Sequence, residues 1–99
     1  MPKLRIDLQD GFDQDSVAIR VNGKPVFERS DVRSSLLKGF AKSIQVDVDP
    51  GRAAVEIAVS NRNLSKTLNL DIGADTYVGV SRTKSGIESI VRTEPFGYA

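Results

Sequence analysis

Cysteine and histidine are both missing from the 99 residues, and so is tryptophan. Without cysteine there is no disulfide framework, no thiolate nucleophile and no thiolate zinc site. Without histidine the commonest general base and the commonest transition-metal ligand are gone as well. Aromatic residues are few, four phenylalanines and two tyrosines, so stacking surfaces have little to draw on. Long apolar runs are also lacking. The opening MPKLRIDLQD alternates polar and apolar residues, where a signal peptide needs a continuous apolar stretch of roughly 7–15 residues. Nothing approaches the ~18 apolar residues of a membrane helix. Charge of one sign is absent too, with fourteen basic and thirteen acidic residues interspersed for a formal charge of +1. Such a balance points to neither nucleic acid nor an acidic membrane as partner. A cytoplasmic protein without a cofactor is the expectation.

What is present is period-two alternation, the mark of half-buried strands. KLRIDL sets Leu4, Ile6 and Leu8 against Lys3, Arg5 and Asp7. SVAIRV does the same with Val17, Ile19 and Val21, SIQVDV with Ile44, Val46 and Val48, and RAAVEIAVS with Val55, Ile57 and Val59. LSKTLNLDI aligns Leu64, Leu68, Leu70 and Ile72, broken only by Lys66, and TYVGVS adds Val78 and Val80. IESIVR and the short PVFER complete eight candidate strands. β-Branched residues fill most inward positions, as a pleated surface with one buried face favours.

Turn residues separate these runs. Asn22-Gly23 sits between two strands as a strong hairpin signal, because a type I′ turn needs positive φ twice. Asp49-Pro50-Gly51, Asn61-Arg62-Asn63, Gly73-Ala74-Asp75 and Lys84-Ser85-Gly86 mark the other reversals. Short strands at this spacing, each with one wet face, predict an all-β fold. The expected architecture is a single domain over residues 1–99, an antiparallel β-sandwich of seven to eight strands, immunoglobulin-like or prealbumin-like. The exception is an irregular segment around residues 30–41. There Asp31 is placed to cap a helical turn over Val32, Leu36 and Phe40, but Gly39 and two serines favour an edge segment crossing between sheets, with Leu36, Leu37 and Phe40 lying over the core.

Candidate sites are sparse. QDGFDQD concentrates Asp10, Asp13 and Asp15 around Gly11, and hard cations such as calcium take carboxylate oxygens from short loops. These three are the weak metal candidates, although Asp-Gly pairs in turns read equally as a surface connection. No catalytic residue emerges. Every carboxylate falls at an outward strand position or in a turn, no Gly-x-Ser-x-Gly elbow occurs, and Ser34, Ser35 and Lys38 read as solvated polar residues. Asn63-Leu64-Ser65 matches the glycosylation triplet and is not expected to be modified without a signal peptide. Arg20 and Lys24 flank the Asn-Gly turn as a basic hairpin. The closing EPFGYA joins Pro95, which ends a strand, to Phe96 and Tyr98; these aromatics either plug one end of the sandwich or anchor a partner.

VAIRVNGKPVF followed by alternating strands resembles the small carboxypeptidase-regulatory and PEGA-type sandwiches. The resemblance covers about the middle half of the chain and lacks the Leu-Pro-x-Gly turn of PEGA repeats. It implies an accessory or binding module and, as a likeness of fold, assigns no site. The leading expectation is therefore a non-catalytic protein-interaction or self-association module that binds a protein partner or itself as a homodimer. Pro95, Phe96, Tyr98, Arg20 and Lys24 are its candidate contacts. The alternative is an accessory module for carbohydrate or a small molecule, calcium-assisted, built on Tyr77, Phe12, Phe96 and the loop carboxylates.

Overall fold

A computed structural model describes residues 1–33 and 42–96. Ser34, Ser35, Leu36, Leu37, Lys38 and Phe40 lie outside the described residues, as does Tyr98. The eight expected strands all form: β1 (Lys3–Leu8), β2 (Asp15–Val21), β3 (Lys24–Val32), β4 (Lys42–Asp47), β5 (Gly51–Val59), β6 (Leu64–Ile72), β7 (Thr76–Arg82) and β8 (Ile87–Arg92). They make two four-stranded sheets, one in the order β4-β1-β7-β8 and the other β3-β2-β5-β6. An immunoglobulin sandwich keeps its first two strands side by side in one sheet. Here β1 and β2 lie in different sheets, which leaves the prealbumin-like alternative. Among the described residues no helix is long and apolar enough to cross a membrane.

One expectation needs correcting. The sheets are not wholly antiparallel, because β1 runs parallel to β7, Leu4 facing Thr76 and Leu8 facing Val80. Alternation reports only that one face is wet, and it looks the same in either direction. The turns split in a similar way. Asn22-Gly23 closes the β2–β3 hairpin with φ of 52° and 79°, the type I′ geometry. Asp49-Pro50-Gly51 and Gly73-Ala74-Asp75 instead carry the chain from one sheet to the other, since β4 and β5, and β6 and β7, belong to different sheets.

Strand β3 runs past PVFER as far as Val32, so Asp31 is no helix cap. It sits in the strand at φ 58° with its carboxylate accepting a hydrogen bond from Arg33 Nε at 3.0 Å. The polar run ERSD hides this pairing because a strand at a sheet edge needs no apolar face. The core lies between the sheets. Leu4, Ile6, Leu8, Val78 and Val80 of one meet Val17, Ile19, Val55, Ile57 and Val59 of the other, all essentially inaccessible to water. Each such side chain contributes roughly 1.5–3 kcal/mol.

Candidate functional site

The acidic loop is tied to the end of β7. Gln9 N–H donates to the Val80 carbonyl at 2.7 Å, and Arg82 N–H donates to the Asp10 carbonyl at 2.8 Å. Gly11, at φ +86°, packs so closely that a Cβ would run into the Arg82 carbonyl. The chain then turns Phe12 into the core. Phe12 is therefore not available to a sugar-stacking platform with Tyr77 and Phe96.

Asp15 is fully buried, which corrects the expectation that every carboxylate faces water. Arg62 Nε donates to its Oδ1 at 2.9 Å and Arg82 Nε to its Oδ2 at 2.6 Å. The Asp13 N–H donates to Oδ2 at 3.2 Å, while Arg62 Nη2 donates to the Asp13 carbonyl at 3.1 Å. Asn61, in the 3-10 turn Ser60–Arg62, binds both sides of the same loop, accepting from Ser16 N–H and donating to the Gln14 carbonyl. One carboxylate thus clamps two guanidiniums, one from the turn between β5 and β6 and one from β7, and both of its oxygens are engaged. Asp10 and Asp13 are exposed on the loop. Among the described residues no three acidic side chains converge as a cation site.

Asp7 is the second buried carboxylate. It accepts from Arg5 Nε at 3.0 Å and from Ser43 Oγ at 2.7 Å on the outer face of its sheet. The two acids differ in how legible they were. Asp15 stands in phase with Val17, Ile19 and Val21, so the alternation itself pointed it inward. Asp7 is in phase with Lys3 and Arg5; Arg5 and Ser43 of the neighbouring β4 lie against it, and no pattern along the chain carries that.

The basic hairpin does not form one patch. Arg20 faces Glu56 on the outer side of its sheet, whereas Lys24 pairs with buried Val21 on the other side. Lys24 borders an open groove of about 470 Å3 between β3 and β4, floored by Val26, Val46 and Val48. Across that region Lys3 Nζ meets Asp47 Oδ1 at 2.7 Å in the open. The hydrogen bond and the charge of each partner hold the Lys3 pKa above its usual value and the Asp47 carboxyl below its own.

In the closing segment the structure describes Pro95 and Phe96. Phe96 is half-buried and lies outside the core cluster. Its ring receives the Arg92 guanidinium at 5.0 Å from the centroid, and Pro95 is exposed beside it. Both extend from β8, whose single neighbour among the described strands is β7. On β8, Ile90 and Val91 are 50% and 46% exposed, and Met1 is the only other large apolar side chain among the described residues so open to water. The resulting surface offers backbone hydrogen-bonding groups, two aliphatic side chains and an arginine held over a ring. Such a set offers main-chain and apolar contacts to an extended strand. IESIVR carried this signal in its sequence, with apolar residues on both phases. No protein-family model, no curated protein and no solved structure matches the chain.

Proposed function

We propose that the protein is a non-catalytic interaction module that binds a protein strand, from a partner or from itself, along the β8 edge. The observation that carries this reading is a sheet edge left open among the described residues, with Ile90 and Val91 exposed on a strand whose one neighbour among the described strands is β7. An extended segment gains main-chain hydrogen bonds from such an edge and specificity from alternate side chains. The test compares the full chain with its Ile90→Lys variant, purified from the cells that make it. Masses in solution and co-purifying proteins are measured for both. Assembly or capture by the parent that is lost on substitution is the expected result. Identical assembly and capture in both would overturn the reading.

A further inference from the structure

We infer that the occupant of this edge is a second copy of the chain, added antiparallel so that Ile90 faces Ile90 across a twofold axis. This rests on the reading of β8 as the binding edge and fixes both its partner and its register. The β7–β8 hairpin closes with Thr83 N–H donating to the Gly86 carbonyl at 2.8 Å. Along an antiparallel pair, opposed residues alternate between exchanging hydrogen bonds and not doing so. Counted from that closure, Ser81–Glu88, Gly79–Ile90 and Tyr77–Arg92 are the exchanging pairs. The main-chain groups of Glu88, Ile90 and Arg92 are therefore spent on β7. Those of Ile87, Ser89 and Val91 point away from the sheet.

A second β8 joins only through these outward groups, and side-chain chemistry then chooses among the registers that use them. A pairing centred on Glu88 sets that carboxylate against its own copy. One centred on Ser89 puts Glu88 opposite Ile90. One centred on Val91 puts Glu88 opposite Glu94 and Ile90 opposite Arg92. Centred on Ile90, the strands pair Ser89 with Val91 through their outward groups, and Glu88 faces Arg92 of the second copy on both sides of the axis. Opposite charges facing across strands favour a pairing and like charges oppose it. This register is also isologous, so it closes at two copies and does not run on.

The rest of the outer face accommodates it. Ile90 shares its row with Gly79, which presents no side chain, and Arg92 is already held by the Phe96 ring. Joining two copies makes one continuous sheet of eight strands, four from each.

Light scattering on the full chain tests this, between about 10 µM and 1 mM, because an interface of one strand is smaller than the standard size. E88R and R92E each set like charges against each other at both facing positions. Mixing the two variants restores both pairs, and so does combining both changes in one chain. The expected result is a dimeric parent, two monomeric single variants, and dimers in the equimolar mixture and in the double variant. Circular dichroism of each variant should match the parent, since both side chains are exposed. A dimer that survives either charge reversal, or a mixture that stays monomeric, overturns the register. A parent that is monomeric throughout, yet captures a protein in an Ile90→Lys-sensitive way, overturns self-pairing and leaves the module reading standing. A dimer indifferent to Ile90→Lys overturns both.

Discussion

Strands β3 and β8 each end a sheet, and they are built to opposite specifications. In β3, Lys24, Glu28, Arg29 and Asp31 place four charges in nine residues, Pro25 removes a backbone donor, and the register with β2 shifts twice. Strand β8 has no proline, pairs with β7 without a shift over all six residues, and exposes Ile90 and Val91. The remaining edges are guarded by other means. Lys66 of β6 faces fully buried Ile57, an inward-pointing charge at an edge, and short β4 carries Lys42 and the Lys3–Asp47 pair. Charges, proline, bulges and inward lysines are the recognised ways of stopping unwanted strand addition. Strand β3 has proline and bulges and β6 an inward lysine, whereas β8 has only its two charges, Glu88 and Arg92, with neither proline nor bulge. An edge this regular beside more broken ones fits the proposed strand binding.

Several substitutions break or sharpen the contrast, and two have the largest expected effect. Asp15 opposes Val32 at the end of β3, and Arg82, which it holds, opposes Ile87 at the start of β8. Asp15→Ala strips the common partner from two guanidiniums and should destabilise by about 3 kcal/mol, loosening both edges together in a denaturant melt. Ile90→Pro removes a donor spent on β7 and should cost about 2–3 kcal/mol by the same measurement. Ser89→Pro, one residue away, copies on β8 what Pro25 does on β3. It removes only an outward donor, so the melt should shift by less than about 1 kcal/mol while light scattering records loss of assembly. If these neighbouring prolines cost the same, the assigned hydrogen-bond phase of β8 is wrong. Phe96→Ala should cost about 0.5–1 kcal/mol through the lost arginine–ring contact, read from the melting temperature.

The smallest effect belongs to the β4 edge. Asp47 has a lowered pKa through its hydrogen bond with Lys3, so its contribution is present above its ordinary value of 3.8 and fades as the pH falls below it. Lys3 has a raised pKa, so its share holds below its ordinary value of 10.5 and is lost as the pH rises past it. The melting temperatures of the parent and Asp47→Asn should therefore differ slightly at neutral pH and converge in acid. Salt should shrink the gap, as both groups are solvated.

Most of the fold was legible because inward Val, Ile and Leu repeat every second residue, and that period survives any change of sheet. Which turn closes a hairpin and which crosses between sheets was not, because Asp49-Pro50-Gly51 and Asn61-Arg62-Asn63 carry similar turn-forming residues. The full length of β3 was hidden by its own defences, four charged residues that read as loop. Of the site, Phe96 and Pro95 were visible as an oddity and Ile90 as an apolar residue out of phase. The clamp on Asp15 was half visible. Its phase pointed inward, but Arg62 and Arg82 lie 47 and 67 residues away, and nothing local joins them.

The parallel β1–β7 contact also sets a schedule. The second sheet grows from two hairpins, β2–β3 and β5–β6, joined by one longer pairing. The first has a single hairpin; β1 pairs with β4 over a separation like that of β2 from β5, but with β7 only over a distance across which Lys3 N–H reaches Asp75 Oδ1, 72 residues away. Ordering that much chain before any contact rewards it is slow. Sheet β3-β2-β5-β6 and the β1–β4 pair are thus placed to form before β1 meets β7, the contact that completes the other sheet. During that interval Leu4, Ile6 and Leu8 lack the β7 neighbours Val78 and Val80 and are incompletely covered. A chaperone that binds this protein during synthesis would find its handle at the amino end of the chain, in the strand that the finished fold buries most completely.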